Sequence, residues 1–452
     1  MSAGRVCRFF LTIGILLALA ASASAGPIRD WEPVVVEGAQ LRPLLGVPVN
    51  TFEVLAGRDG KLNPIPFQVD PATTEAAAAS VPRCSPTDEK GAPLRAADEL
   101  VMLLSDFGDA ANSATPLPAG ALEIAIKDPL GGPDRYAYVD AAKNPRRSTL
   151  SYVQFDPSTE RVETDFYRFG LSNGWPSDFT YQNQRFEHRP SLIDRLNVSM
   201  SSRVFGVFPY AMTEHDLRIS QPVVRCGPVR VTLRYHYAVT LIAGIRSPSV
   251  VVPIAFYRQY ITSPLAVHFP WLPRLFFGGT RIRINVDYGV PRHASLLWDG
   301  DRAGLVLNEA PLAGRQSAAM DPGPSVDWVA LRQDGHLLAQ AFPTSRDLDL
   351  IQHNLTYRGP IDGAGAARGT TKMVKIGYEI SRLEELSAGK HVFDACFAVL
   401  DESSDPQTFF HELRAAPVVM VRPLPVRAAP RRVDDQPKNG AAGLSSLTES
   451  AR

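Results

Sequence analysis

Apolar and polar residues alternate along much of the chain with a period of two, which is the spacing of side chains on half-buried β-strands. Three Asp-Gly pairs, Asp59-Gly60, Asp299-Gly300 and Asp334-Gly335, each separate two alternating runs. Because both residue types tolerate the left-handed backbone of a tight turn, this arrangement predicts three β-hairpins.

Helix signals are few by comparison. Ser381 with Glu384 forms a capping-box pattern, and Asp405-Pro406 matches the start of a second short helix extending through His411. The 38 prolines and 33 glycines are spread through the chain, as expected for many short strands joined by turns. We therefore predict a mainly β fold: one or more antiparallel β-sandwich domains, or a supersandwich, with few short helices.

Composition divides the chain into four parts. Residues 1–25 have the composition of a signal peptide. A polar stretch at residues 143–147 marks a boundary between an N-terminal β domain, residues 26–146, and a larger β-sandwich domain, residues 147–421. Residues 422–452 are rich in Arg, Pro, Ala, Gly and Ser with few aromatic or β-branched residues, so we expect a disordered tail.

The N-terminus has the three parts of a secretory signal. Arg5 and Arg8 supply positive charge, residues 9–20 form an apolar run of 12 residues, and Ala23-Ser24-Ala25 offers a cleavage site. The apolar run is too short to span a bilayer, which needs about 20 residues. We expect cleavage after Ala25 and a periplasmic or secreted protein; a retained membrane anchor is the alternative.

Net charge and cysteine positions bear on two further questions, nucleic-acid binding and disulfide pairing. Removing the signal leaves 45 basic against 47 acidic residues, a net charge of −2, which gives no reason to expect a nucleic-acid partner. Cys84 and Cys226 lie in predicted loops and are the favoured disulfide pair, whereas Cys396 alternates within a predicted strand. Three separate thiols are the alternative.

No catalytic or metal motif fits its surroundings. The segment Gly170–Gly174 has the spelling of a nucleophile elbow, but an alternating run follows where a helix is needed, so a hairpin loop is the better interpretation. Asp98, Glu99, Asp106 and Asp109 lack the spacing of a calcium loop, and the histidines form no zinc motif. Catalytic residues therefore stay unknown, and we expect no metal and no cofactor.

Aromatic residues gather among polar ones between Phe166 and Phe186, a composition typical of surfaces that stack on sugar rings. Alternation places some of these aromatics in a core. Trp175 lies in a predicted loop and is the best candidate for ligand contact. Ordinary packing of a sandwich core is the alternative explanation.

The segment Leu217–Val286 contains nine Arg residues and no Asp, Glu or Lys. Like charges held close together cost free energy unless opposite charges neutralise them. Two sources of neutralising charge are open. Acidic residues from elsewhere in the chain could pair with each Arg, or an anionic ligand could bind them.

The Arg residues of this segment fall on two predicted strand faces. Alternation places Arg230, Arg234 and His236 on one face of the first strand, and Arg281 and Arg283 on one face of the second. If both strands lie in one sheet, these faces form a cationic groove suited to carboxylate, sulfate or phosphate groups, which Arg can bind bidentately.

A second feature of the same segment is the run 268–277, in which Trp271 and three Phe residues accompany Arg274. Its two prolines argue against a regular strand or helix. Trp and Phe beside Arg are typical of a membrane interface or of the mouth of a hydrophobic ligand site. A loop that covers a core edge is the alternative.

These features together predict an exported binding or assembly protein of the cell envelope that recognises an acidic or amphiphilic ligand, an acidic glycan or an anionic lipid. The predicted contact residues are Arg230, Arg234, His236, Arg281, Arg283, Trp175 and Trp271. Two other classes stay open. One is a polysaccharide lyase or hydrolase acting on an acidic glycan; the other is a structural subunit docking on a membrane or partner through the Trp271 loop.

The enzyme alternatives require specific groups. A lyase would use Arg230 or Arg234 to neutralise a uronate carboxylate and His236 or a tyrosine as the base. A hydrolase would need two carboxylates flanking the scissile bond. The acid-free segment supplies none, so they would come from residues such as Glu163, Asp165 or Asp178.

Overall fold

The computed structural model of this protein describes residues 29–72, 91–111, 115, 117–118, 120–172, 174–181, 191–204, 206–220, 222–239, 250–269, 278–289, 294–307, 320–342, 351–361 and 373–424. Within these ranges the strands are β1 (Pro33–Glu37), β2 (Phe52–Arg58), β3 (Lys61–Pro64), β4 (Gln68–Asp70), β5 (Glu99–Leu103), β6 (Leu122–Lys127), β7 (Arg135–Ala141), β8 (Val153–Asp156), β9 (Arg161–Thr164), β10 (Tyr167–Ser172), β11 (Trp175–Tyr181), β12 (Ile193–Val204), β13 (Phe208–Thr213), β14 (Leu217–Ile219), β15 (Val223–Cys226), β16 (Val231–Val239), β17 (Val250–Phe256), β18 (Tyr260–Phe269), β19 (Gly278–Gly289), β20 (Ala294–Trp298), β21 (Asp301–Leu307), β22 (Trp328–Gln333), β23 (His336–Ala341), β24 (Gln352–Ile361), β25 (Met373–Ser381), β26 (Gly389–Asp401) and β27 (Val418–Pro423). The described ranges contain one α-helix, α1 (Pro406–Arg414). The prediction of a mainly β, antiparallel fold is confirmed.

Each of the three Asp-Gly pairs closes a hairpin, as predicted. Asp59-Gly60 joins β2 to β3 and Asp334-Gly335 joins β22 to β23, and all four residues have positive φ angles, from 52° to 84°. Those angles belong to the two-residue turn whose twist matches that of the flanking strands. Asp299-Gly300 joins β20 to β21.

Residues near the N-terminus of the described chain form a small sandwich. A three-stranded sheet in the order β1-β5-β4 packs on a five-stranded sheet in the order β27-β6-β7-β2-β3. Alternate residues of both sheets fill the core between them; Val36, Phe52 and Leu100 there are fully buried. Two sheets that each have one apolar face pack in this way, with the two faces forming a common core.

The larger sandwich is built on a ten-stranded sheet in the order β14-β16-β17-β18-β26-β23-β22-β20-β21, with β15 also paired to β16. A four-stranded sheet (β11-β10-β9-β8) and a five-stranded sheet (β13-β12-β19-β25-β24) together cover one face of it. The core between these layers contains large buried side chains, including Tyr167, Tyr235 and Tyr288. The predicted supersandwich arrangement therefore describes this part of the molecule.

Helix α1 covers part of the other face of the ten-stranded sheet. Asp405 precedes it and accepts a hydrogen bond from the backbone N–H of Gln407, and Pro406 occupies its first turn, as the sequence predicts. Phe409 and Phe410 of the helix pack on Trp328 and its neighbours. The other helix signal, at Ser381, produces only a 3-10 turn over residues 383–385, with a left-handed backbone at Arg382 before it and an extended backbone at Leu386 after it.

The C-terminal strand departs from the predicted domain boundaries. Strand β27 pairs with β6, so Val421 lies opposite Ile124 in the sheet of the N-terminal sandwich. Arg422, which composition assigns to the tail, donates from Nε to Glu123 Oε1 at 2.6 Å. Pairing between strands this far apart in sequence depends on the folded path of the chain, and a local composition pattern carries no information about it.

Cys226 is disulfide-bonded, and Cys396 is a free, buried thiol. Cys84 and the predicted signal peptide lie outside the described residues, so the pairing of Cys84 with Cys226 stays a prediction. Among the residues that the structure describes, no helix is long and apolar enough to cross a membrane.

Candidate functional site

The two Arg-bearing strands belong to different sheets. Strand β16 lies in the ten-stranded sheet and β19 in the five-stranded sheet that faces it. Tyr235 and Tyr288, whose side chains point to the shared core, are both buried. Because alternate residues point away from that core, Arg234 and Arg283 lie on opposite outer faces of the sandwich. The groove that depended on a common sheet does not form.

On β19, acidic residues neutralise the Arg face. Glu379 lies directly opposite Arg283 on β25, and its Oε2 accepts from Arg283 Nε at 2.7 Å. A second carboxylate, Asp321, lies 2.8 Å from Arg283 Nη2. Arg281 is 59% exposed, with its Nε 3.9 Å from Glu379 Oε1. These pairs match the alternative in which acids from elsewhere in the chain neutralise the Arg-rich segment.

Arg230, just before β16, is also held by acids. Its Nε donates to Asp70 Oδ2 at 2.7 Å, its Nη2 donates to Glu99, and its Nη1 donates to Tyr257 Oη at 3.2 Å. Gln68 on β4 accepts from the backbone N–H of Arg230 and so ties this strand to the N-terminal sandwich. Burial by itself would lower the pKa of Arg230, but Tyr257, Asp70 and Glu99 together raise it. This guanidinium is a structural cation.

Arg234 has different neighbours. It lies opposite Val223 on β15 and opposite Pro253 on β17, so neither flanking strand offers an acid at that position. Its side chain is half-buried, and within the described part of the chain it makes no ion pair or hydrogen bond. Burial and the positive charge of Arg225 both lower the pKa of Arg234. Its charge is therefore incompletely neutralised.

Arg225 on β15 completes the cluster. It lies opposite Thr232, so Arg234 is its diagonal neighbour on the same face, at about 7 Å between Cβ atoms. Its Nε is buried and has no hydrogen-bond partner among the residues that the structure describes. A buried, unpaired N–H donor costs about 1–3 kcal/mol, so an acceptor from a ligand would be favourable there.

We call Arg225, Arg230 and Arg234 the arginine cluster. Asp70 and Glu99 are the acids that act on it, and both bind Arg230. Three guanidinium groups against two carboxylates leave the cluster with a net positive charge. A planar guanidinium can donate two parallel hydrogen bonds to carboxylate, sulfate or phosphate oxygens.

Polar residues also lie on the face that carries the cluster. His236 follows Arg234 by two residues on the same face, and its backbone N–H donates to Ser220 Oγ at 3.1 Å. Arg218 lies opposite Ala238 and is exposed. Both side chains extend the basic face along the strand beyond the cluster.

Trp175, one of the two predicted aromatic contacts, does not join this site. Trp175 is half-buried at the start of β11 and packs edge-to-face on Tyr237, with ring centroids 6.2 Å apart, on the core side of β16. Phe179 and Tyr181 farther along β11 are buried in the same core. Ordinary sandwich packing therefore accounts for these aromatics. Trp271 lies outside the described residues.

The features considered for catalysis have structural roles. Ser172 pairs with Trp175 in the β10–β11 hairpin, so the elbow spelling belongs to a hairpin, as interpreted. The carboxylates considered for a hydrolase each form an ion pair: Glu163 with Arg168, Asp165 with Arg258 and Asp178 with Arg161. In the described ranges, no three His, Cys, Asp or Glu side chains gather as a metal site would require.

Sequence reasoning missed Arg225, Asp70 and Glu99. Arg225 alternates between Val224 and Cys226, but the run is short and carries little signal. The two acids lie more than 100 residues before the Arg strand, and only the packing of the N-terminal sandwich brings them to it.

No protein-family model matches the chain, and no curated protein matches it. Among solved structures, an alpha-mannosidase from Enterococcus faecalis V583 aligns with 88% of this chain at 9% identity and a TM-score of 0.48. The chain covers 45% of that protein's length. The protein HI1317 aligns with 54% of this chain over 97% of its own length, at 9% identity and a TM-score of 0.25. Similarity at this level does not transfer a function.

Proposed function

We propose that this is an exported protein that binds an acidic glycan through the arginine cluster. The observation that carries the proposal is the incomplete neutralisation of Arg225 and Arg234. Both lie on one sheet face, no carboxylate contacts them in the described part of the chain, and each lowers the free energy of bringing an anion to the other. Arg230 adds positive charge to the same face while it remains paired to Asp70 and Glu99.

A glycan fits this face better than a lipid. Thr232, His236 and Ser220 around the cluster provide hydroxyl and imidazole groups that can hydrogen-bond to sugar hydroxyls. No large apolar side chain described on β16 is exposed, so an acyl chain would find little exposed apolar surface along this strand. We propose export only because the N-terminus has the pattern of a secretory signal.

The test is binding of the mature chain to a uronate polymer and to a sulfated polysaccharide, with neutral dextran as the matched uncharged glycan. We expect both acidic polymers to bind and dextran not to bind. Affinity should fall as salt rises, because the Debye length shrinks from about 30 Å at 0.01 M to about 10 Å at 0.1 M.

The decisive variant is the double substitution Arg225→Gln and Arg234→Gln. It should reduce affinity for the acidic polymers at least tenfold, which is about 1.4 kcal/mol, and should leave the melting temperature unchanged or raised. The charge-matched control is Arg42→Gln with Arg281→Gln, two exposed sites away from the cluster. Equal losses in both double variants would show that only net charge matters and would contradict the proposal. Unchanged binding in the first variant would contradict it as well.

Anionic vesicles provide a second discriminating measurement. Loss of vesicle binding in the Arg225→Gln, Arg234→Gln variant, with no glycan binding by the wild type, would replace the glycan with a lipid headgroup as the ligand of this site. Processing of the native protein is checked separately by mass spectrometry. An intact segment 1–25 in the native protein would contradict the exported location.

A further inference from the structure

An exposed apolar tip ends the hairpin formed by β12 and β13. Val207 is 71% exposed and the adjacent Phe208 is 64% exposed, the two highest values among the exposed large apolar side chains described. Gly206, with a φ of 73°, makes the turn. Isolated exposed apolar residues are ordinary, but two adjacent ones at a projecting tip require an explanation.

Strand register explains why Phe208 is exposed. Tyr210 and Met212 of β13 pair with Ser202 and Met200 of β12, and Phe208 continues their row on the side that faces the core. Met212 and Tyr210 are half-buried, whereas Phe208 is exposed. Exposure therefore increases along this row toward the turn, so the rest of the protein covers Phe208 less than Tyr210 and Met212.

Exposed Arg residues lie beside the tip. Arg203 on β12 is exposed and pairs with Gly278 on β19, and Arg281 is 59% exposed three residues farther along β19. No Asp or Glu occurs between Asp194 and Glu214, a range that includes residues 195–204 of β12 and all of β13. An apolar tip flanked by exposed Arg residues is complementary to a surface with anionic headgroups over an apolar interior.

We propose that this hairpin tip docks the protein on an anionic lipid bilayer. Val207 and Phe208 would enter the acyl boundary while Arg203 and Arg281 remain among the headgroups, where their charges attract anionic lipid. The surface is distinct from the arginine cluster, because the hairpin belongs to the five-stranded sheet and the cluster to the ten-stranded sheet. The two sites can therefore be tested separately.

The experiment measures co-sedimentation of the full chain with phosphatidylcholine vesicles that contain or lack phosphatidylglycerol. We expect binding to the anionic vesicles and at least tenfold weaker binding to the neutral ones. The variant Val207→Ser with Phe208→Ser should reduce binding to anionic vesicles at least tenfold. Its matched control, Val306→Ser with Val418→Ser, changes two other exposed valines, 49% and 51% exposed, and should bind like the wild type.

A second variant tests the charges. Arg203→Gln with Arg281→Gln should reduce the preference for anionic vesicles, while acidic-glycan binding by the arginine cluster should not change. Equal binding of the wild type to both vesicle types, or no binding to either, would overturn the proposal. Full vesicle binding by the Val207→Ser, Phe208→Ser variant would do the same.

A protein partner would give a different result. If the tip contacts a second copy of this chain, light scattering will show concentration-dependent association that the Val207→Ser, Phe208→Ser variant loses, with no vesicle binding by either form. That result would replace the bilayer with a copy of the chain. Acidic-glycan binding that persists in the tip variant would show that the arginine cluster and the tip act independently.

Discussion

Strands β16 and β19 both carry outward Arg residues, but their electrostatic surroundings differ. On β19, the neighbouring strand β25 places Glu379 directly opposite Arg283. On β16, the neighbouring strands place Val223 and Pro253 opposite Arg234. The difference lies in the cross-strand partners, not in the strands that carry the arginines.

The residue on the neighbouring strand decides whether an outward Arg forms an ion pair within the protein or can bind a ligand. Directly opposed side chains on neighbouring strands lie about 4.5–5.5 Å apart at Cβ, close enough for an ion pair to form without further reorganisation. Glu379 is buried, so its charge requires Arg283. No buried carboxylate among the described residues depends on Arg234 in this way. Its guanidinium can therefore bind a ligand.

The largest expected effect is at the β19 pair. Arg283→Gln leaves the buried Glu379 carboxylate with only a weak contact to Arg281. We expect the free energy of unfolding to fall by about 2–3 kcal/mol, below the roughly 3–5 kcal/mol of a fully buried pair, because Arg283 is partly exposed. Urea denaturation measures this. Acidic-glycan binding should not change; a loss of binding with intact stability would show that β19 also contacts the ligand.

A smaller effect is expected when β16 is made to resemble β19. Val223→Glu places a carboxylate opposite Arg234 on the same half-buried face. The new pair should stabilise the fold by about 0.2–1 kcal/mol and reduce acidic-glycan affinity about tenfold, since Arg234 would now be neutralised within the protein. Val223→Gln is the uncharged control. Retained binding in the glutamate variant would contradict the role of Arg234.

The smallest effect is expected at Arg281, two residues from Arg283 on the same strand. Its distance of 3.9 Å from Glu379 and its exposure of 59% define a solvent-screened pair. Arg281→Gln should change the free energy of unfolding by at most about 0.5 kcal/mol. Urea denaturation of the Arg281→Gln and Arg283→Gln variants checks this by comparing their losses in the free energy of unfolding. A loss as large as that of Arg283→Gln would mean that the two arginines share the stabilisation of Glu379.

Local sequence determined much of the fold. The Asp-Gly turns, the alternation that buries Leu233 and leaves its neighbours half-buried, and the helix start at Asp405 all depend on residues close together in the chain. Steric preferences at two or three residues are sufficient to encode them. The sequence therefore predicted which residues of β16 share its basic face.

Tertiary structure alone decided which arginines are free. The partners of Arg230 come from β4 and β5, and the partners of Arg283 from β25 and the residues before β22. Strand order also separated the two Arg faces and returned β27 to the N-terminal sheet. Sequence alternation specifies the side of a strand on which a residue lies. The residue opposite it depends on which strands become neighbours, and that is determined by how the whole chain buries its apolar faces.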